Sequence, residues 1–379
     1  AATVRLLTDR LRAWQVATVL LVLVEGTAGL WLSVETNAPP GATIAVIGGG
    51  AFALAAVARA LRGRRLVALA AAALLGGALV AGCGSSSGSA GGKLDVVATT
   101  TQLGDFVRAV GGDRVAVHQI LQPNTDPHDY EPRPSDVQSV ANAKLVFASG
   151  DGLDHWIGKV ISQAGGQAKL VDVGGSVPVK VAGETSGPAA SRYDPHWWHD
   201  PVNAKAAVAR IRGALAKADP SHAAQFARNA AAYAARLDAL DGGIRACLAG
   251  VPPAQRKLVT NHDAFNYFAK HYGIAVIGAV IPSQTTQAQP SAGDVAQLTD
   301  QIRREHVRAI FPESSLSPKV VDAIARDTGA SANNTLYGDT LGPKGSAGAT
   351  YLRMEQANAD AMVRGFTGGA RRCTIPGIG

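Results

Sequence analysis

Three short stretches far apart in the chain, Pro127-His128-Asp129, Asp194-Pro195-His196 and Asn261-His262-Asp263, each set one histidine among polar neighbours just past a predicted strand end. Imidazoles that converge from separate segments build a transition-metal site by tertiary folding. Asp339, in Tyr337-Gly338-Asp339-Thr340, adds the anionic oxygen that would close a four-coordinate shell around Zn2+. A lone loop histidine is more often solvated or held in a core, and Asp339 alone would be a plain turn residue. The pattern gains its meaning only if the four meet. His118, His155, His222, His271 and His306 lie in predicted helices or strands without polar company and are left out of the set.

The elements that must position these residues alternate strand and helix from Lys93 onward. Predicted strands are Leu94–Thr99, Val115–Leu121, Lys144–Ala148 and Ala168–Val173; the helices between and after them cover Gln102–Val110, about Ser135–Asn142 with Ser135 as N-cap, and Leu153–Gln163. The second half repeats the scheme, with strands at Lys257–Thr260, Ala275–Val280, Ala309–Phe311 and Thr335–Tyr337. Its helices are Phe265–His271, Ala292–Glu305, Pro318–Thr328 and Thr350–Arg364. This is an α/β chain of two (βα)4 lobes with parallel sheets. Between them Ser221–Cys247 reads as one long helix with apolar positions at Phe226, Ala230, Tyr233, Leu237, Leu240 and Ile244. In open α/β sheets ligands bind outside the carboxyl ends of strands. His128 follows the second strand, His196 precedes the helix begun by Asp200-Pro201, His262 follows Val259 and Asp339 follows the strand at Leu336. Two ligands from each lobe would put the ion in the cleft.

The N-terminus is of another kind. Val16–Val34 and Gly41–Ala60 are each long enough to cross a bilayer as a helix, and Leu66–Gly82 is a shorter apolar run. Arg5, Arg10 and Arg12 precede the first run and Arg59–Arg65 separate the second from the third, which orients the path as cytoplasm, out, back and out again. The chain carries a net +7, but its first 92 residues hold seven Arg against only Asp9, Glu25 and Glu35. Those charges sit where membrane topology wants them, and no basic stripe interleaved with aromatics points to nucleic acid. Apart from Cys83 the cysteines are Cys247 and Cys373, a spacing unlike a zinc site. They form either a disulfide, which an exported compartment permits, or two free thiols.

Leu79-Val80-Ala81-Gly82-Cys83, followed by the Ser/Gly tract Gly84–Gly92, resembles a bacterial lipoprotein signal with its lipobox. The resemblance implies cleavage before Cys83, acylation of Cys83 and a flexible tether; the alternative is a third membrane helix with an incidental cysteine. Residues 1–65 look like the last two helices of an importer permease of the metal-transport class. No independent function is expected of them, since two spans are too few for a channel.

From Lys93 to about Phe366 the chain resembles the metal-binding lipoproteins of bacterial ABC importers. The runs that carry the likeness are Pro127-His128-Asp129-Tyr130-Glu131-Pro132, Asp194-Pro195-His196-Trp197-Trp198, Asp200-Pro201, Asn261-His262-Asp263-Ala264-Phe265-Asn266-Tyr267-Phe268, Pro290-Ser291, Glu313, Ser317-Pro318-Lys319 and Asp339-Thr340-Leu341-Gly342. The family fold implies two lobes joined by one rigid helix, with His128, His196, His262 and Asp339 on the four ligand positions. The organisation expected is therefore 1–65 membrane helices, 66–82 signal and lipobox, 83–92 tether, 93–219 first lobe, 220–250 linking helix and 251–379 second lobe with tail. By the same likeness the protein is a monomer anchored by lipid to the outer face of the cytoplasmic membrane, serving a membrane permease.

In that family the third ligand position tends to be His for zinc and Glu for manganese; here it is His262, so Zn2+ is expected and Mn2+ is the alternative. Three neutral imidazoles and one carboxylate suit a tetrahedral Zn2+. Glu131, Asp263 and Glu313 are candidates to orient imidazole N–H groups, with surface salt bridges as the alternative. His199, where the family usually has an apolar residue, is a supporting partner, a fifth ligand, or a packing residue. The stretch Pro178–Arg192 holds no histidine, so no accessory metal-scavenging loop is expected. Two other classes stay in view: a zinc hydrolase with Glu313 or Asp263 as general base, against which stands the lack of any His-Glu-x-x-His or Gly-x-Ser-x-Gly motif, and a cell-adhesion protein with a structural metal.

Overall fold

The computed structural model describes residues 2–6, 10–60, 92–187 and 190–378; the third apolar run, Cys83 and the Ser/Gly tract up to residue 91 lie outside the described residues. In chain order the helices and strands are α1 Ala2–Arg5, α2 Leu11–Thr36, α3 Pro40–Ala60, β1 Leu94–Ala98, α4 Thr101–Gly111, β2 Val115–Gln119, α5 Pro134–Asn142, β3 Leu145–Ala148, α6 Ile157–Gln163 and β4 Lys169–Asp172. Then come α7 Pro201–Ala218, α8 Ala223–Ala249, β5 Lys257–His262, α9 Asn266–Tyr272, β6 Ala275–Ile281, α10 Ala292–Arg304, α11 Lys319–Thr328 and α12 Tyr351–Phe366.

Two compact units divide the chain, one of Ala1–Gly91 with Glu131–Gln138 and one of Gly92–Tyr130 with Ser139–Gly379. In the first, α2 and α3 are long and apolar enough to cross a membrane. Asn37 takes a left-handed conformation to end α2, Pro40 opens α3, and the Thr43 hydroxyl donates to the Gly29 carbonyl at 2.8 Å where the helices approach.

In the second unit a four-stranded parallel sheet runs in the order β2-β1-β3-β4. All four residues of β3 and Val96–Ala98 of β1 are buried, as strands covered on both faces must be. The order reverses between β1 and β3, so the crevice for a ligand lies beyond Ala98 and Ala148. The second sheet departs from expectation: β5 and β6 pair in parallel, but the predicted strands at Ala309–Phe311 and Thr335–Tyr337 are reduced to isolated parallel bridges, Thr260 to Phe311, Ala309 to Ser331 and Glu313 to Leu336. Pro312 interrupts that run, because it can accept from Leu336 N–H but has no N–H to continue a ladder. The helix predicted from Leu153 begins only at Ile157, since Gly150, Asp151 and Gly152 all have positive φ. Ser135 is not an N-cap; α5 starts one residue earlier with Pro134, a residue whose missing N–H costs nothing in a first turn.

Helix α8 spans 27 residues, about 40 Å. Its buried positions are Phe226, Ala230, Tyr233, Leu237, Leu240, Ile244 and Leu248, a stripe at helical spacing that enters a core continuous with Phe106 of the first lobe and Met362 of the second. Cys247 in α8 is bonded to Cys373 in the C-terminal tail, with Cα atoms 5.4 Å apart.

Candidate metal centre

Local structure fixes each of the four residues. His128 sits in the loop after β2, its N–H donating to Asp126 Oδ1 at 3.0 Å and its carbonyl accepting from Gln287 at 2.7 Å. His196 precedes a short 3-10 turn, Trp197–His199, which is pinned over the sheet crevice by Trp197 Nε1 donating to the Ser149 carbonyl at 2.9 Å. His262 is the last residue of β5. Asp339 follows Gly338, whose carbonyl accepts from Trp198 Nε1 at 3.1 Å, and the Asp339 carbonyl accepts from Gln102 Nε2 at 2.9 Å. Leu341 N–H donates to Thr101 and Asn124 N–H to Thr340, so the second-lobe loop that carries Asp339 is fastened to the first lobe.

Ligand atoms of His128, His196, His262 and Asp339 all lie within 4.8 Å of one another. The Nε2 atoms of His196 and His262 are 3.3 Å apart, and Asp339 Oδ1 is 3.3 Å from the first, 3.5 Å from the second and 3.9 Å from His128 Nε2. A tetrahedral ion with bonds near 2.0–2.1 Å requires ligand edges of about 3.3 Å, the spacing that His196, His262 and Asp339 already keep, while His128 has to draw closer. Three of the four side chains are fully buried; His128 keeps 7% of its side chain exposed. Both Asp339 carboxylate oxygens and His128 Nε2 are buried without a hydrogen-bond partner. Buried acceptors without donors are costly, and a cation among them removes that cost.

Two rings are oriented from behind. His196 Nδ1 lies 2.7 Å from Asp194 Oδ1, which also accepts the His196 backbone N–H at 2.9 Å. His262 Nδ1 lies 3.0 Å from Glu313 Oε1, which likewise accepts the His262 backbone N–H at 2.9 Å. A carboxylate can only accept, so Nδ1 carries a hydrogen in either ring and Nε2 faces the common point, where its proton must leave before its lone pair can take an ion. Burial pushes the His196 imidazole down, but Asp194 and Asp339 outweigh it and lift it to about 9; burial likewise opposes a charge on His262, yet Glu313 and Asp339 hold it well above its usual value. Burial dominates at His128 and lowers it to about 3.

Residues 96–365 match the family model described as zinc-uptake complex component A, periplasmic. The chain belongs to this family. Its members are metal-binding substrate-binding proteins of ABC importers, transport proteins and not enzymes. Similar proteins include an iron-binding protein of Yersinia pestis, 32% identical over 72% of this chain and 86% of that protein, and a manganese-binding lipoprotein of Bacillus subtilis, 33% identical over 75% and 94%. The solved periplasmic zinc-binding protein TroA from Treponema pallidum superposes with a TM-score of 0.67 at 31% identity, over 73% of this chain and 99% of that one. The family match leaves α1–α3 outside it.

Of the residues expected to support the ligands, Glu313 stands behind His262, and this contact occupies the carboxylate that a hydrolase would use as base. Glu131 does not take that role: it is exposed, and its carboxylate accepts the Gly41 N–H at 2.8 Å. Asp263 does not either: among the described residues no hydrogen bond joins its carboxylate to a ligand imidazole, and its backbone N–H donates to the Ser283 carbonyl at 3.0 Å. His199 is fully buried with Nδ1 2.8 Å from Glu355 and Nε2 3.1 Å from the Gly338 carbonyl, so neither nitrogen is free to be a fifth ligand. It braces the residue before Asp339. The sequence reading missed Asp194, although its spacing two residues before His196 is that of an Asx turn, in which one oxygen reaches the N–H two residues on.

Proposed function

We propose that the chain captures Zn2+ outside the cytoplasmic membrane on His128, His196, His262 and Asp339 and delivers it to an ABC importer permease. The observation that carries this is the buried cluster of three imidazoles and one carboxylate, with ligand atoms within 4.8 Å of one another and unpartnered acceptors among them. The hard ion Mn2+ prefers more oxygen donors and a higher coordination number, which a four-residue shell with three nitrogens does not offer. A relative named for manganese keeps Mn2+ as the competing reading. Four protein ligands leave no open position for a reactive water, consistent with a carrier. Acylation at Cys83 would keep the carrier near its permease, and the Ser/Gly tract would give it reach. Release would follow small displacements of the ligand-bearing loops as the permease docks.

Metal analysis with native mass spectrometry, on protein purified without added metal, tests the reading. One zinc per chain is expected. Manganese alone at stoichiometric level overturns it.

A further inference from the structure

Helix α8 separates the ligands in sequence, His128 and His196 before it and His262 and Asp339 after it, so a bend in α8 changes how closely the two pairs meet. Its weak point is Gly242-Gly243, two adjacent glycines inside the helix, where backbone freedom is greatest and helix propensity lowest. The C-terminal tail lies on this point. Cys373 is bonded to Cys247, Ile375 packs where a Cβ on Gly243 would come within 2.5 Å of it, and the Ile378 carbonyl accepts from Arg236 at 3.3 Å. Contacts at 373, 375 and 378 thus fall on helix positions 247, 243 and 236. The order of these contacts, rising along the tail and falling along the helix, makes the tail antiparallel to α8, with a turn at Pro376-Gly377 before Ile378. Cys373, Ile375 and Ile378 are buried in the same core cluster as Leu240 and Ile244.

We propose that residues 373–378 act as a splint, fastened by the Cys247–Cys373 bond, that holds α8 straight across Gly242-Gly243 and thereby sets how fast the bound ion leaves. Gly243 is the position that must stay small, because Ile375 occupies its side-chain space. Gly242 faces solvent with nothing within 4 Å of an added Cβ and so can be changed. The part of the proposal that concerns ion loss rests on the metal reading above; the part that concerns α8 does not.

The test uses the full chain as wild type, as the double variant C247S/C373S, and with Gly242→Ala in each background. Amide hydrogen exchange across 238–247 reads the helix directly, and transfer of zinc to a chelator reads the release rate. The double variant is expected to lose protection at 240–246 and to release zinc about fivefold faster, the factor equivalent to one glycine's helix penalty. Gly242→Ala should restore both towards wild type. If the double variant does not fold, Ile375→Ala, which keeps the Cys247–Cys373 bond but removes the contact over Gly243, tests the idea by speeding exchange at 240–246. Unchanged protection in the double variant, or a Gly242→Ala change that alters neither exchange nor release in that variant, overturns the splint. Failure of every form to bind zinc while protection shifts as expected overturns the metal reading and leaves the splint standing.

Discussion

His196 and His262 have one ring nitrogen held by a carboxylate and the other facing Asp339, whereas His199 and His271 have both ring nitrogens taken. His199 lies between Glu355 and the Gly338 carbonyl; His271 has Nδ1 3.2 Å from Asp200 and Nε2 2.9 Å from Asp241. All four rings are poorly exposed and near carboxylates, so burial and charge alone do not separate a ligand from a cross-link. The count of occupied nitrogens does. A ring held at one nitrogen presents a preset lone pair; a ring held at both has none to give. His128 differs from each pair: among the described residues no carboxylate is hydrogen-bonded to its ring, which lines a small cavity of about 70 Å3 together with His155, Thr285 and Gln287.

Asp339→Ala breaks the comparison most severely, because it removes the anion that the free nitrogens share. Zinc binding at four-ligand protein sites is worth about 10–16 kcal/mol in all, so losing one ligand costs on the order of 3 kcal/mol, two powers of ten or more in affinity. Chelator competition on the metal-free protein measures it. Zinc retention with less than tenfold loss would mean the lone pairs do not converge on an ion in solution. The adhesin alternative is addressed by the same variant, since partner binding should then survive loss of the metal.

Asp194→Asn and Glu313→Gln sharpen the comparison at one remove. An amide can present its N–H₂ to Nδ1, which lets the tautomer reverse and point a hydrogen at the ion. Each change is expected to cost roughly 10- to 100-fold in zinc affinity, the usual range for outer partners of metal-bound histidine. Glu131→Gln, whose carboxylate lies elsewhere, serves as the reference and should change affinity by less than about twofold. Equal effects of Glu313→Gln and Glu131→Gln would remove the distinction between oriented and free rings.

Much of the architecture was legible in the residues. The helical period of Phe226 to Ile244 marked α8 and its buried face, and polar residues at strand ends marked where His128 and His262 would emerge. What stayed hidden depended on contacts between distant segments. Nothing local in His271 announces Asp200 and Asp241, which come from α7's N-cap and from α8. His199 and Glu355 are 156 residues apart. Pro312 could have warned that the Ala309–Phe311 strand would not extend, and the glycines at 150 and 152 that a helix could not start at Leu153. Asp194 was visible in its motif but read as context for His196 and not as the group that aims its ring.

His271 gives the mildest and most specific test of a ring held at both nitrogens. Burial opposes its charge, as does the like charge of the Arg245 guanidinium 2.6 Å from Nε2, but Asp200 and Asp241 outweigh that opposition and raise it to about 9. An unfolded histidine titrates near 6.5. The folded value is the higher one, so the charged cross-link contributes its full stability below about pH 6.5 and loses it as the pH rises through about 9. His271→Gln should therefore destabilise the chain by about 1–2 kcal/mol near pH 6 and by much less near pH 10, as read from denaturant midpoints at both values. Zinc affinity should hardly move, since neither nitrogen of this ring faces the ion. A destabilisation of the same size at both pH values would show that His271 serves by packing against Tyr272 and not by its charge.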